Sequence, residues 1–187
     1  MLVGGCATGG ATDSNMTIQR QVAKGESDVL EFKTSFGRDV METLCAFANH
    51  RGGTVLIGVS DDGRIVGTSC GSESLQAWAN EIKQNTTPSI IPDVEMISIR
   101  GKSVVMFRVS EFPVKPVAFR DRYFKRVANS NHRMSLTDIA NIHMQSLQLS
   151  WDSYPEDQST VKDLSPRKMK AFLKRVRDGG RFKGEGD

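Results

Sequence analysis

The sequence predicts an α+β fold, a mixed or antiparallel sheet of hairpins flanked by helices, in one main domain. Three observations carry this expectation. Apolar residues recur at helical spacing in 39–49 and 72–84, and short β-rich runs come in pairs around turn signals. Helices and hairpins then alternate without a repeating strand–helix–strand unit, which argues against a regular parallel sheet.

Residues 1–18 are rich in Gly, Thr and Ser, lack periodicity and are expected to be disordered, with Met16 as an alternative start and order beginning near Ile18. In Leu30-Glu31-Phe32-Lys33 apolar and charged residues alternate, the period of a half-buried strand with Leu30 and Phe32 on the core and Glu31 and Lys33 on the other face. Val40, Leu44, Phe47 and Ala48 predict an amphipathic helix from Asp39 to Asn49, broken by Gly52 and Gly53. Thr54 to Val59 is β-rich, and Asp61-Asp62-Gly63 predicts a tight turn into a partner strand at Ile65 and Val66. A second helix, 72–84, is closed by Pro88 and Pro92.

Two strands, 94–99 and 104–109, flank Arg100-Gly101-Lys102 as a further hairpin. Shorter strands are expected at 117–119 and 123–127, then a polar loop, then a helix capped by Ser135 and running to about Leu147. The domain is accordingly bounded at 19–148, with a polar linker over 149–164. A last helix and tail fill 165–187, where Ser165 is the cap, Pro166 holds the first helical position, and Met169, Phe172, Leu173 and Val176 form a stripe opposite a basic face.

With 187 residues, 38% hydrophobic and 25% charged, the chain has the composition of an ordinary globular protein. No window approaches the ~20 apolar residues of a membrane helix, so no membrane partner is expected. Cys6 follows a short apolar start, but a basic segment and a long apolar segment before it are missing, which weighs against a lipoprotein signal. Cys6, Cys45 and Cys70 are an odd set without a paired metal-type spacing, which points to free thiols and a cytoplasmic setting. Net charge is only +3, yet the bases cluster at 120–133 and 167–183.

Three segments carry candidate chemistry. Glu26, Glu31, Asp61 and Lys33 together would suit a hard cation such as Mg²⁺ or Mn²⁺ beside a phosphate. The separation of Glu26 and Glu31 is odd, so on one regular strand they would point apart. Convergence requires a turn within Gly25-Glu26-Ser27-Asp28, and otherwise these are surface acids paired with Lys33. Next, Phe47 to Val59 runs helix, Gly-Gly turn, strand. It lacks the Gly-Lys-Ser/Thr ending of a phosphate-binding loop, so no ATP is expected, and Gly52 and Gly53 are read as packing glycines. Third, Tyr123-Phe124-Lys125-Arg126 interleaves aromatics with bases, which suits phosphate contact and stacking or, equally, a charged edge strand. The three histidines have no ligand spacing.

In this order, Glu26-Ser27 with Leu30-Glu31-Phe32-Lys33, Ala46-Phe47-Ala48-Asn49 with Gly52-Gly53, Ile57-Gly58-Val59-Ser60-Asp61-Asp62-Gly63 with Gly67, and Tyr123-Phe124-Lys125-Arg126 with Ser130-Asn131 and Met134-Ser135 resemble the Schlafen AlbA_2 family. The resemblance spans about residues 20–140. It implies a domain that binds DNA or RNA, found in prokaryotic proteins resembling transcriptional regulators and in animal Schlafen proteins, some of which cleave tRNA or rRNA. In the nuclease members two glutamates and an aspartate form the active site. Glu26, Glu31 and Asp61 match those positions, and Lys33 matches a lysine near the phosphate.

Those nucleases pair two modules into a clamp, which a homodimer of this chain could restore. Prokaryotic relatives often continue into a winged helix, so base reading by a recognition helix is not expected within these residues. The leading expectation is a regulatory nucleic-acid-binding module using Lys33, Arg122, Lys125, Arg126, Asn131 and Arg133. The runner-up is a metal-dependent endoribonuclease acting on structured RNA such as tRNA through Glu26, Glu31, Asp61 and Lys33.

Overall fold

The computed structural model describes residues 18–148 and 160–179, and the expectations for residues 1–17, the polar stretch 149–159 and the tail 180–187 lie outside them. The chain divides into two compact units, Met1–Leu149 and Ser150–Asp187.

The first unit runs α1 (18–24), β1 (Leu30–Lys33), α2 (Arg38–Asn49), β2 (Gly53–Ile57), α3 (Ser72–Asn85), β3 (Thr86–Thr87), β4 (Asp93–Ile99), β5 (Lys102–Val109), β6 (Ala118–Phe119), β7 (Arg122–Val127), β8 (Ser130–Arg133) and α4 (Leu136–Ser146). Its strands form two four-stranded sheets, ordered β1-β2-β5-β4 and β3-β6-β7-β8. In the first, β1 is parallel to β2 while β2, β5 and β4 pair antiparallel. The second is antiparallel throughout. This is the predicted α+β architecture, with the mixed sheet arising from the single parallel pair.

Alternation along the strands divides the core in two. Leu30, Phe32, Leu56, Val104 and Met106 face one side, where Ile18 and Val22 of α1 cover them. Val55, Ile57, Val105, Phe107 and Val109 face the other, against α2 and residues of the second sheet such as Val117, Phe119 and Phe124. Helix α2 therefore lies between layers, and every residue from Thr43 to Asn49 is buried. A helix buried all round tolerates no charge in its middle, and 43–49 has none. Burial of this kind makes truncating Phe47 a loss of roughly 3–5 kcal/mol.

The structure departs from the sequence expectations in four places. Strand β2 stops at Ile57, where Gly58 adopts φ +94°, and the expected hairpin persists as the bridge Val59↔Ile65 with Ser60 N donating to Arg64 O and Val66 N to Gly58 O rather than as paired strands. Glu31, assigned to an open face, is 7% exposed. The polar segment after Val127 forms strand β8 rather than a loop. Helix α1 and the two-residue β3 carry no recognisable periodicity, the first because residues 18–24 are too few to show it.

The second unit holds a short 3-10 turn, Val161–Asp163, and α5 (Pro166–Asp178). Ser165 caps α5 by accepting from Lys168 N, and Pro166 occupies its first turn as predicted. No helix among the described residues is long and apolar enough to cross a membrane.

Candidate functional site

The site is built around β1. Residues 27–30 form a tight turn in which Ser27 N donates to Leu30 O at 2.9 Å, so the chain before the turn lies along the open edge of β1. Alternate amides of a strand point to opposite edges, and with β2 on one side the Phe32 amide faces the other. Glu26 Oε1 accepts that amide at 3.0 Å. The required turn between the two glutamates thus exists, and Glu26 uses it to cover an unpaired backbone group.

Glu31 points inward, toward α2 and the second sheet. Its Oε1 accepts from Lys33 Nζ at 2.6 Å and its Oε2 from Arg126 Nη2 at 2.5 Å. The same Arg126 nitrogen also donates to Ser27 O at 2.9 Å, while Nη1 donates to Asn131 Oδ1 at 2.8 Å. Asn131 Nδ2 passes the chain on to Thr43 Oγ1 of α2 at 2.8 Å. The guanidinium lies 5.0 Å from the centre of the Phe47 ring, within cation–π range. Arg126 is therefore a cross-link between β1, β7, β8 and α2, and its side chain is 0% exposed.

That burial corrects one sequence expectation. Arg126 and Asn131, assigned to phosphate contact, occupy the inward face of the β7–β8 ladder, where cross-strand partners share a face. Arg126 Nη1 and Nη2 and the Asn131 amide are committed to Glu31, Ser27, Thr43 and each other, while the buried Arg126 Nε has no hydrogen-bond partner among the described residues. Lys125 alternates with Arg126 and faces outward, donating to Asp138 Oδ1 at 2.7 Å in the first turn of α4. Together with the Ser135 amide and hydroxyl, Lys125 holds the Asp138 carboxyl down at about 2. Lys33 is half-buried on Glu31. Arg122 and Arg133 are exposed, and among the described residues neither meets a carboxylate.

Asp61 stands exposed in the turn after β2, where Gly63 N donates to Ser60 O at 2.8 Å. Its neighbour Asp62 takes the Ser60 hydroxyl and Arg64, which hold its carboxyl below the usual range. Among the described residues no three His, Cys, Asp or Glu side chains are gathered closely enough to hold a metal ion. The arrangement brings Glu31, Lys33, Arg126 and Asn131 together, sets Glu26 beside them on the strand edge, and leaves Asp61 in its own turn.

Two residue groups escaped the sequence reasoning. Asn49, at the end of α2, accepts from Val117 N at 2.6 Å and donates to Val117 O at 2.8 Å and Phe124 O at 3.0 Å, fastening the second sheet to the helix. Its signals were a polar residue closing an apolar run and its place in the Ala46-Phe47-Ala48-Asn49 motif, neither of which pointed to these partners. Asp28, His50 and Arg51 meet at the start of β1, where the Arg51 guanidinium keeps the Asp28 carboxyl below its usual value. No local pattern marks that group.

This chain is similar to two solved structures, of which the first resembles it in fold. One is the DIP2311 protein from Corynebacterium diphtheriae, 19% identical with a TM-score of 0.56, matched over 88% of this chain and 37% of that one. This chain thus spans well under half of the DIP2311 protein. The other is the N-terminal domain of an ATP-dependent DNA helicase RecG-related protein from Nitrosomonas europaea, 22% identical with a TM-score of 0.47, over 64% of this chain and 92% of that domain. A family model described as Schlafen, AlbA_2 matches residues 26–135, from the glutamate on the β1 edge to the cap of α4. With more than half of its length matched, this chain belongs to the Schlafen AlbA_2 family.

Proposed function

We propose that the chain is a nucleic-acid-binding domain that holds the phosphates of DNA or RNA through exposed cations on and beside the β7–β8 hairpin. The observation that carries this reading is that Arg122 and Arg133 stand exposed without a carboxylate partner among the described residues. An unpaired surface guanidinium offers phosphate its planar fork at little cost, whereas Lys33 and Lys125 would first exchange Glu31 and Asp138. Family membership supports the same class of ligand. Neutralisation of Glu31 by two cations also removes a buried negative charge that would oppose phosphate nearby.

Fluorescence anisotropy with labelled tRNA, single-stranded DNA and duplex DNA over a range of salt tests this reading. Binding should weaken as salt rises, and Arg122→Gln with Arg133→Gln should make the slope of log Kobs against log salt shallower by about 1.4 on a single strand. Binding indifferent to both salt and the double variant would refute it.

A metal-dependent endoribonuclease is the second reading, favoured by the turn that lays Glu26 against the strand bearing Glu31. As placed, Glu26, Glu31 and Asp61 do not make a three-carboxylate site for Mg²⁺ or Mn²⁺, and Glu31 would have to release Lys33 or Arg126 to accept a cation. Mn²⁺-dependent cutting of tRNA that Glu26→Gln abolishes would support it, and intact RNA after incubation with Mn²⁺ would exclude it.

A further inference from the structure

A cleft of about 580 Å³ opens at the other end of β1 from Lys33, where α1, the turn before β2 and the end of β5 meet. Its existence depends on Gly52 and Gly53. Gly52 has φ +78°, and a Cβ there would lie 2.7 Å from Val109 O. A Cβ on Gly53 would lie 2.6 Å from the Phe47 ring. Neither position accepts a side chain, so the turn closes directly onto the end of β5 and brings Arg51 and Arg108 to the lining of one cleft.

Three cations from three separate elements line that opening: Lys24 at the end of α1, Arg51 in the turn and Arg108 near the end of β5. Lys24 and Arg108 meet no carboxylate among the described residues, and the one sulfur contact of Arg108, to Met106 Sδ at 3.7 Å, is weak. Arg51 pairs with Asp28 in a solvent-exposed contact that water and salt screen. The acid at the rim, Glu111, is engaged by Lys115, which keeps its carboxyl below the usual range. Val29 and the two glycines also line the cleft, an uncharged part of its wall suited to the face of a base.

We infer that this cleft takes an unpaired segment of a nucleic-acid strand, with Lys24, Arg51 and Arg108 on its phosphates. The inference rests on the nucleic-acid reading above and adds to it a second contact surface and a preference for single strands. A cleft of this volume falls in the ~300–1,000 Å³ range of small-ligand sites, room for about one or two nucleotides, which fits an unpaired strand segment better than a duplex. Pairing to phosphate rather than to a base edge predicts tolerance of sequence.

The test compares the unmodified chain with the triple variant Lys24→Gln, Arg51→Gln, Arg108→Gln for binding a labelled single-stranded oligonucleotide across salt concentrations. Loss of three contacts should make the salt slope shallower by about 2, with a smaller effect on a blunt duplex. All three residues are exposed, so the thermal midpoint should be unchanged. Acetylation of Lys24 on the unmodified chain, read by mass spectrometry, should fall when the oligonucleotide is bound, which probes the contact without any substitution. An unchanged slope together with unprotected Lys24, while Arg122→Gln with Arg133→Gln still weakens binding, overturns the cleft and leaves the wider reading standing. Absence of binding by the unmodified chain removes both. A free nucleoside monophosphate that binds as tightly as the strand and protects Lys24 equally overturns the strand as occupant.

Discussion

Replacing Arg126 by Met is the sharpest perturbation available in this fold. The side chain makes charge-assisted hydrogen bonds to Glu31, Ser27 and Asn131 from a position with no exposure of its own. Met fills similar volume, so the loss is electrostatic rather than a cavity. Glu31, itself 7% exposed, would keep Lys33 but lose its buried partner, and two oxygens, Ser27 O and Asn131 Oδ1, would lose that donor. Removing one member of a buried pair costs about 3–5 kcal/mol, and the remaining Lys33 puts this case near 3. For a chain of this size that lowers the thermal midpoint by roughly 6–12 °C.

Urea unfolding followed by far-UV circular dichroism measures the effect, with the midpoint falling and the slope unchanged. Glu31→Gln combined with Arg126→Met should cost less than the two changes summed, by about 1–3 kcal/mol of coupling. The salt dependence of oligonucleotide binding should not change in the folded variant, because the guanidinium is not at the surface. Arg126→Met within about 0.5 kcal/mol of the unmodified protein would refute the cross-link.

Asn49→Ala removes the acceptor of Val117 N and the donor to Phe124 O, while Val117 O keeps the Cys45 thiol, and should lower stability by about 2–3 kcal/mol in the same urea assay. Asp138 is held down at about 2 in the folded protein against an ordinary value of 3.8, so its contribution is fully present above pH ~4 and is lost as pH falls toward 2; Asp138→Asn should erase that part of the acid dependence, followed by nuclear magnetic resonance of α4 amides. Burial pushes the Cys45 thiol up to about 12, whereas Cys70 is only partly covered. Iodoacetamide followed by peptide mapping should therefore modify Cys70 in the native protein and Cys45 only in denaturant.

What was legible in the sequence was mostly local. The cap of α4 is an example, since Ser135 stands directly before the helix and its side chain accepts from Asp138 N within one turn. The β4–β5 hairpin was legible for the same reason, with its turn between two alternating runs. Glu31 was misplaced because its partner arrives 95 residues later, on a different sheet, and a charge that is neutralised at long range looks like any surface charge beforehand. Strand β8 was hidden by its polarity. Asn131 faces inward yet binds Arg126 and Thr43, so the inward face of this strand has no hydrophobic period to read. The candidate site suffered similarly: the turn between Glu26 and Glu31 could be asked for, but its use, to cover the Phe32 amide, follows only from knowing on which side β2 pairs.

The segment folded along β1 bears on assembly. A sheet edge with free amides invites a strand from another molecule. At β1 an incoming strand would have to break the Ser27–Leu30 bridge and expel the Glu26 carboxylate from the Phe32 amide, so that end of the first sheet is closed to growth. The opposite edge, β4, has no further strand beyond it in the sheet order of the described residues and exposes Asp93, Glu95 and Met96. If two copies of this chain were to join by extending the first sheet, symmetry and the sealed β1 edge together would place the seam along β4, back to back, as a continuous eight-stranded sheet.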